Sequence, residues 1–450
     1  NTLVGAAAGD ALTTGGANVA MGYGALGLED TGGRNVAIGY NSLTALNYDG
    51  FAYTTAVGYA AGVSITTGLY NTILGANAGL ALTTGGENVA VGFESLMTED
   101  AHGRNTALGY KTLRLQDAGA EAYNVAVGYA AGSTITTGNE NILIGGLAGD
   151  ALTTGQYNIA LGTNALGVED TGSRNTAIGH AALFSLNYDG TGYNTAVGFQ
   201  AGLSMTTGVR NTIVGSLAGD ALTTGDYNVA IGYNALGAED AHGANVAVGY
   251  KTLSAQDAGV DALNVAVGFY AGLSVTTGTE NTLIGSYAGD ALTTGSANVA
   301  VGYLALSAED AHGTNTAIGF KTLRVQDAGA NAYNVAVGYQ AGENISTGIN
   351  SVLVGGLAGD ALTTGTNNVA LGYSALSTEN TGSSNVAIGS HALEDLNYNG
   401  SGYNTAVGHA AGRNVTTGVQ NTIIGGLAGD ALTTGNYNVA VGASSLSTTL

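Results

Sequence analysis

The sequence predicts an all-β protein that folds as a parallel β-solenoid, of the β-roll or β-helix type. Three observations support this prediction. The 450-residue chain repeats itself every 70 residues without drift, each repeat divides into four shorter units, and every unit contains a short β-branched run between turn residues. A helical-hairpin repeat needs about 33 residues per unit, so units of this length exclude it.

The repeat runs through the whole chain. Blocks of 70 residues begin at residues 1, 71, 141, 211, 281, 351 and 421. The units of the first block open at Asn1, Asn18, Asn35 and Thr54, and are therefore 17, 17, 19 and 17 residues long. The same spacing gives about 26 coils, so we expect one continuous repeat domain over residues 1–450. Because the chain has no initiator Met, we expect it to be either processed or a fragment, in this case of a longer fibre.

Two kinds of block occur, and they differ in two loops. Type A carries EDTG at 29–32 and NYDG at 47–50, whereas type B carries EDAH at 99–102 and QDAG at 116–119. The six complete blocks follow the order A, B, A, B, B, A. This irregular order indicates that blocks were duplicated and shuffled.

Each unit opens with a five-residue strand motif that should stack on the motif of the next coil. The motif is Asn-(Val/Thr)-Ala-(Val/Ile)-Gly; Asn opens 24 of the 26 units, and Gly stands four residues later in all 26. Stacked coils place equivalent residues about 4.8 Å apart, where Asn amides can bond to one another. The residues that we expect to form this structural ladder include Asn18, Gly22, Asn35, Gly39, Asn88, Gly92, Asn194 and Gly198.

The two faces of each strand differ in size and chemistry. Val19 and Met21 should point one way, and Ala20 and Gly22 the other. An Ala/Gly face buries little area but allows close approach of another backbone, and one narrow coil encloses only a small core. We therefore expect several chains to associate as a homotrimeric rod, intertwined or side by side; a single-chain β-helix of about 18 residues per coil is the alternative. Thr-Thr-Gly turns, as at 66–68, close the coils, and their glycines can adopt positive φ.

Composition excludes several classes of function. Lys and Arg number 10 against 32 Asp and Glu, which gives a net charge of −22 and disfavours nucleic acid and anionic membranes as partners. No apolar stretch approaches the ~20 residues of a membrane helix, so we expect no membrane insertion. The absence of Cys excludes disulfides and thiolate metal sites. No nucleophile, base and acid stand out from the repeat, and the ladder explains the glycine spacing, so we expect neither an enzyme nor a cofactor site.

Acidic loops recur once per block. Glu29 and Asp30, like Glu99 and Asp100, supply oxygen atoms of the kind that bind Ca²⁺. Equivalent loops lie four coils, or about 19 Å, apart and cannot share an ion, so we expect solvated loops and no bound metal. We expect the histidines beside these loops in type B blocks to be surface residues rather than metal ligands: His102, His242 and His312.

A second recurring acid lies in the first coil of each block except the second, where Leu80 replaces it. A side chain that is lost in one block is a poor candidate for an essential ligand. Asp can hydrogen-bond the backbone two residues further on, so we expect these residues to cap turns: Asp10, Asp150, Asp220, Asp290, Asp360 and Asp430.

Aromatic residues follow most of the ladder glycines, as at Tyr23, Tyr40 and Tyr59, and we expect them to stack as structure rather than to bind carbohydrate.

The third coil of each block is two residues longer than the others, and its loop projects from a repetitive scaffold. Loops of that kind commonly carry binding sites. The candidate contact residues in these loops are Tyr48, Phe51, Tyr53, Tyr188 and Tyr193.

Two sets of motifs resemble known fibrous proteins. NVAIG at 35–39 and NTAIG at 175–179 resemble the head repeats of trimeric autotransporter adhesins. GGLAGDALTTG at 145–155 and NTAVGF at 194–199 are similar to repeats in tail fibres of marine bacteriophages. The resemblance covers essentially the whole chain, and it implies a left-handed parallel β-roll with three chains side by side.

The expected function is mechanical. We expect the shaft of a phage tail fibre, a rigid extracellular spacer that supports attachment to a host cell and contacts a cell-surface glycan or protein. A trimeric bacterial surface adhesin is one alternative. A self-assembling extracellular filament is the other, since the sequence starts and stops in phase with the repeat and solenoids usually cap their ends.

Overall fold

The computed structural model describes residues 1–447, which form 26 three-residue strands connected by turns. No helix occurs among these residues, and hence none that is long and apolar enough to cross a bilayer. The chain divides into two compact units, each of which is a parallel β-solenoid. The predicted fold class is therefore confirmed. Positions within a coil are numbered below from its opening residue, so that position 1 is Asn1, Asn18, Asn35 or Thr54 in the first block.

The first unit spans Asn1–Tyr227. Each strand pairs in parallel with the strand of the next coil, so that Thr2 lies opposite Val19 and Leu3 opposite Ala20. Each coil thus contributes one strand to one sheet, which is the arrangement expected of a solenoid. The strands are β1 (Thr2–Val4), β2 (Val19–Met21), β3 (Val36–Ile38), β4 (Thr55–Val57), β5 (Thr72–Leu74), β6 (Val89–Val91), β7 (Thr106–Leu108), β8 (Val125–Val127), β9 (Ile142–Ile144), β10 (Ile159–Leu161), β11 (Thr176–Ile178), β12 (Thr195–Val197) and β13 (Thr212–Val214).

The second unit begins at Asn228 and has the same internal order. Its first two strands pair in parallel with Val229 opposite Val246. The same pairing continues to the last strand, where Thr422 lies opposite Val439. The strands are β14 (Val229–Ile231), β15 (Val246–Val248), β16 (Val265–Val267), β17 (Thr282–Ile284), β18 (Val299–Val301), β19 (Thr316–Ile318), β20 (Val335–Val337), β21 (Val352–Val354), β22 (Val369–Leu371), β23 (Val386–Ile388), β24 (Thr405–Val407), β25 (Thr422–Ile424) and β26 (Val439–Val441).

The glycine at position 5 ends every strand in a conformation that other residues avoid. Its φ lies between +120° and +145° in all 26 coils. This region is essentially restricted to glycine. At Gly198, where φ is +145°, a Cβ atom would also lie 2.5 Å from the carbonyl carbon of Gly215 in the next coil. Backbone conformation and close stacking therefore both require glycine at Gly22, Gly39, Gly92 and Gly198.

The glycines of the Thr-Thr-Gly turns are required for a different reason. Gly15 and Gly68 do not adopt the left-handed conformation. A Cβ atom on Gly15 would instead collide with the carbonyl oxygen of Gly32, and one on Gly68 with that of Gly85. The suggestion of positive φ at these turns is wrong, because close packing of successive coils selects glycine there.

The Asn ladder is buried, and most of its hydrogen bonds join side chain to backbone. Asn18 Oδ1 accepts the backbone N–H of Asn35 at 2.9 Å, while its Nδ2 donates to Gly32 O at 2.9 Å. The expected amide-to-amide bonds occur at some coils only, as between Asn141 Nδ2 and Asn124 Oδ1 at 3.2 Å. The amide therefore fixes the start of its own coil and of the next coil.

Not every ladder amide is satisfied. Asn194 keeps the full pattern, since its Nδ2 donates to Gly208 O at 2.8 Å. The Nδ2 atoms of Asn35 and Asn88 have no hydrogen-bond partner. Asn35 opens a third coil, whose longer loop displaces the turn carbonyl that serves the equivalent amide in coils of ordinary length. The longer loop thus removes this hydrogen bond at Asn35, whereas Asn88 opens a coil of ordinary length and nothing in the structure explains its unpartnered amide.

The small face of each strand forms the inside of the coil. Ala20 is fully buried, whereas Val19 is half-buried and Met21 is exposed on the outer face. The predicted alternation is confirmed. The inference that the Ala face admits another chain's backbone is wrong, because side chains of the same coil already fill that space. A homotrimer stays a prediction.

Large and small residues alternate between two inward positions of the coil. Position 3 is Leu143 in the first coil of its block, and position 9 of the same coil is Gly149. A Cβ atom on Gly149 would lie 2.8 Å from Leu143 Cδ2. The next coil reverses the sizes, with Ala160 at position 3 and Leu166 at position 9, both fully buried. This compensation fills the interior in the first three coils of a block. The fourth coil is small at both positions, as at Ala196 and Gly202.

Candidate functional site

Six glutamates occupy an inward column that is otherwise apolar except for the buried Gln116, Gln256 and Gln326 of type B blocks. Position 12 of a coil points inward and is filled by fully buried residues such as Leu46 and Ile65. In the second coil of each block this position is a glutamate with no exposed surface: Glu29, Glu99, Glu169, Glu239, Glu309 and Glu379. The prediction of a solvated acidic loop is wrong for these residues. Only the following residue, such as Asp100, reaches the solvent.

In type A blocks, backbone amides hold both carboxylate oxygens. Glu169 Oε1 accepts the N–H of Gly172 at 2.7 Å, and its Oε2 accepts the N–H of Tyr188 in the next coil at 3.4 Å. The Thr171 hydroxyl donates to Asp189 Oδ1 at 2.6 Å, which links the same two coils. Burial raises the pKa of Glu169 to about 7, although the two amides favour the charged form.

In type B blocks, the glutamate is less completely satisfied. Glu99 Oε1 accepts the N–H of His102 at 3.3 Å, but Oε2 has no hydrogen-bond partner. Burial raises the pKa of Glu99 to about 7, and the carboxylates of Asp117 and Asp100 add to this rise. The same cause raises the pKa values of Glu239 and Glu309 to about 7.

The type B loop also gathers potential metal ligands. In the second block, one ligand atom from each of Glu99, Asp100 and His102 lies within 4.8 Å of the others. The fourth and fifth blocks repeat the cluster with Glu239 and Glu309. Glu29 and Asp30 of the first block are not brought into such a cluster with a histidine. Of the four predicted metal candidates, only Glu99 and Asp100 therefore lie beside a third ligand type.

The burial of these glutamates could have been recognised in the sequence. Counting from the opening residue, Glu29 occupies the same position as Leu12, Leu46 and Ile65. A position that is aliphatic in neighbouring coils faces the core. The acidic pair taken as a whole predicts a solvated loop, whereas the position within the coil separates its glutamate from its aspartate.

The aspartates of the first coil do not cap the turn in the expected way. The amide of Leu222, two residues beyond Asp220, donates to Gly219 O at 3.2 Å instead. Asp220, Asp290 and Asp360 each retain a buried Oδ1 without a hydrogen-bond partner, and burial raises the pKa of each carboxyl group. The turn amide is already used within the coil, so the prediction of capping is wrong for these three.

The long third-coil loops present aromatic residues to solvent. Phe51 and Tyr53 are exposed, with ring centroids 6.1 Å apart, and Tyr48 is half-buried. The Arg34 guanidinium lies 4.1 Å from the centre of the Phe51 ring and also donates to the Tyr53 hydroxyl. Tyr188 and Tyr193 occupy the equivalent places in the third block, half-buried and exposed respectively. The predicted contact residues are thus grouped, and a cation is stacked on one of them.

Arg34, Tyr53 and Tyr193 belong to a longer column that the sequence motifs do not single out. The last residue of each coil adopts a left-handed conformation and points outward. In the first unit this position is often Tyr or Arg, and Arg174 lies 5.0 Å from the Tyr157 ring centre and 5.9 Å from that of Tyr193. A shallow depression lined by Tyr123, Val125, Glu140 and Ile142 opens beside the column. We call this set the coil-end column: Arg34, Tyr53, Tyr70, Arg104, Tyr123, Tyr157, Arg174, Tyr193, Arg210 and Tyr227.

The aromatic residues that follow the ladder glycines stack as predicted. Tyr23 and Tyr40 have ring centroids 5.4 Å apart, and Tyr40 and Tyr59 are 5.3 Å apart. In the first and second blocks each stack is interrupted where the first coil places Ala6 or Ala76 at the same position. The stacks therefore support neighbouring coils, while their edges stay accessible, as shown by the 58% exposure of Tyr59.

No known protein family matches this sequence, and no curated protein matches it. The geometry of the coils and the chemistry of their surface are therefore the basis for assigning a function.

Proposed function

We propose that this chain is the shaft of a phage tail fibre, an extracellular spacer that supports attachment to a host cell and performs no catalysis. One observation carries the proposal: each of the 26 coils keeps the same glycine conformation after its strand. A catalytic scaffold varies its loops to build a single site. Here the same local structure recurs instead, which suits an element whose property is length.

The ladder gives a physical basis for this role. Every strand described within a unit shares its backbone hydrogen bonds with its neighbours, and the Asn side chains bind the turns. Each coil adds about 4.8 Å along the stack, so each block of four coils adds about 19 Å. Block number would therefore set the distance between an attachment point and a binding tip.

The coil-end column supports a contact role along the shaft. Exposed Tyr rings offer flat apolar surfaces for sugar rings, and Arg offers paired donors for hydroxyl or carboxylate groups. Tyr193 is 52% exposed while Arg174 fixes its position from one side. We propose a host cell-surface glycan or protein as the ligand. Repeated weak contacts along one chain would sum to useful avidity.

We also propose that the fibre is a homotrimer and that the copies meet on the outer strand faces. Position 4 is apolar in every coil of the first unit, and Leu74, Leu108 and Leu161 are each more than 40% exposed. A row of exposed apolar residues on a sheet marks an interaction surface. A second and third copy of this chain would cover it, since the repeat of one copy matches the repeat of the others coil by coil.

The direct test identifies the particle that carries the chain. Mass spectrometry of the native material would combine intact mass with peptide mapping beyond residues 1 and 450, and gold-labelled antibodies against the third-coil loops would locate the chain by electron microscopy. Labelled fibres on virions together with virion peptides are the expected result. A membrane anchor and labelled bacterial surfaces would favour the adhesin, and labelled free filaments would favour self-assembly.

A further inference from the structure

We propose that the three type B loops are binding sites for a divalent transition-metal ion of the zinc class, with Glu99, Glu239 and Glu309 as buried ligands. This goes beyond the shaft function and does not depend on it. Each site consists of the buried glutamate, the aspartate that follows it and the histidine three residues after it. The sites recur in the second, fourth and fifth blocks.

The buried glutamate of each type B loop has one carboxylate oxygen that can bind a cation. Glu99, Glu239 and Glu309 have no exposed surface, and Oε2 of each lacks a hydrogen-bond partner. A buried carboxylate with a free oxygen is costly unless a proton or a cation accompanies it. Oε2 lacks a partner within hydrogen-bond distance at all three equivalent positions, although the backbone amides of Ala258 and Ala328 also face the Glu239 and Glu309 carboxylates. The recurrence indicates a built feature of the type B loop.

The histidine of each type B loop supplies a second ligand atom beside the glutamate. His102 Nδ1 is buried, makes no hydrogen bond, and lies 3.9 Å from Glu99 Oε1. The equivalent distances are 3.7 Å for His242 and 3.6 Å for His312. Tetrahedral ligands about 2.1 Å from a Zn²⁺ ion lie ~3.4 Å from one another, so these separations are close to those of ligands that share an ion.

Further carboxylates lie beside the glutamate and the histidine and could complete the set of ligands. Asp310 and Asp327 join Glu309 and His312 within a span of 4.8 Å, and Asp327 comes from the next coil. One imidazole with two or three carboxylate oxygens suits zinc and related ions. Calcium takes 6–8 oxygen ligands, so the nitrogen argues against it. At the Glu309 site, the ion would also join two successive coils.

Type A blocks provide a natural comparison. Glu29 Oε1 accepts the N–H of Gly32 at 2.7 Å, and its Oε2 accepts that of Tyr48 at 3.4 Å. Type A blocks have Thr-Gly where type B blocks have Ala-His, and there the Thr31 hydroxyl joins Asp49 at 2.7 Å. A hydrogen bond thus connects the coils in type A blocks, and we assign the equivalent role to a metal ion at the Glu309 site, where Asp327 comes from the next coil.

The test counts zinc ions bound per chain. The 450-residue protein, stripped with a chelator and dialysed against micromolar Zn²⁺, should retain three ions per chain by elemental analysis. The triple variant His102→Gln/His242→Gln/His312→Gln should retain none, and His312→Gln alone should retain two. A Co²⁺-loaded sample should show the visible absorption of four-coordinate cobalt, and this absorption should disappear in the triple variant.

The chain supplies a matched control. Its other three histidines lie in type A blocks, so His180→Gln/His391→Gln/His409→Gln should leave three ions bound. Zn²⁺ should raise the melting temperature of this control but not of the type B variant, which also shows that both are folded. Failure of the unmodified protein to retain zinc, unchanged retention in the type B variant, or displacement of zinc by an equal concentration of Ca²⁺ would each overturn the proposal.

Discussion

A Cβ atom on Gly198 would lie 2.5 Å from the carbonyl carbon of Gly215 in the coil above it. The backbone of Gly198, with φ at +145°, adds a conformational cost of about 1–3 kcal/mol for any other residue. We therefore expect Gly198→Val to destabilise its coil by roughly 3 kcal/mol or more and to lower the melting temperature. Circular dichroism during heating would measure the change.

Gly146→Ala is the control for this substitution. A Cβ atom at Gly146 would meet nothing within 4 Å, and its φ lies outside the left-handed region. We expect Gly146→Ala to leave the melting temperature unchanged or slightly raised, because the unfolded chain loses flexibility. Equal melting curves for the Gly198 and Gly146 variants would refute the ladder requirement.

The exchange of sizes between positions 3 and 9 can be tested by swapping them. Leu143→Ala should cost ~2–5 kcal/mol through the cavity that it leaves. Gly149→Leu alone should overpack the coil at a cost of about 1–3 kcal/mol. Together the changes recreate the pattern of Ala177 and Leu183, which are both fully buried two coils further on. The double variant should be more stable than the sum of the single effects predicts, and denaturant unfolding would measure the difference. Strict additivity would show that the two positions do not share one space.

Buried carboxyl groups predict greater stability in mild acid. Burial raises the pKa of Glu169 from 4.5 to about 7, so the folded chain keeps a proton that the unfolded chain loses above pH 4.5. The stabilising contribution is therefore complete below pH 4.5 and is lost as the pH rises through 7. We expect the melting temperature to fall between pH 5 and pH 8. Lower net negative charge in acid acts in the same direction.

Glu169→Gln isolates this effect. Glutamine resembles the protonated acid, so the variant should show a flatter dependence on pH than the unmodified protein. The melting temperatures of both proteins between pH 5 and pH 8 measure this difference. A melting temperature of the unmodified protein that rises from pH 5 to pH 8 would contradict the assigned direction.

Self-association through the outer strand face predicts sensitivity to charge there. Leu108 and Leu161 lie on that face and are 44% and 41% exposed, so Leu108→Lys/Leu161→Lys should fold normally but dissociate the trimer. Leu28 is 57% exposed but lies outside the strand face, and Leu28→Lys should leave the trimer intact. Analytical ultracentrifugation would distinguish these results. A monomeric unmodified protein would refute the proposed trimer.

The coil-end column predicts which aromatic residues take part in cell contact. Tyr157→Ala/Tyr193→Ala/Tyr227→Ala should reduce binding of labelled protein to host cells by at least tenfold, because repeated weak contacts multiply. Tyr23→Ala/Tyr40→Ala/Tyr59→Ala is the matched control, since these rings are similarly exposed but belong to the stack that follows the ladder glycines. Equal losses from both variants would mean that exposure alone governs adhesion.

The sequence was sufficient to predict the strand, the turn and the need for glycine. The motif that begins at Asn18 predicts a strand, and its recurrence predicts parallel stacking with an alternation of faces. Alternation separates Ala20 from Val19 but does not say which of them is inside. The inward choice follows from Leu residues elsewhere in the coil that fill the space beside Ala20, and this is a property of the closed coil rather than of the strand.

The candidate sites were harder to predict because they depend on contacts between coils. Glu99 and Asp100 look alike as neighbouring acids, yet one lies in the core and the other at the surface. His102 is adjacent in sequence, but its buried Nδ1 becomes significant only because Glu99 Oε2 is left without a partner. The column of Arg174 and Tyr193 joins residues from different coils, so no linear motif contains it.

The constant strand register has a consequence for how such a chain can evolve. Thr55 lies opposite Thr72 at the end of the first block, and Thr195 lies opposite Thr212 at the end of the third. Recombination that adds or removes a 70-residue block therefore joins one compatible edge to another and preserves every pairing. A point mutation, in contrast, meets an irreplaceable glycine in each coil. Inherited change should thus accumulate in block number, and related genes should differ in length more readily than in the sequence of the strands.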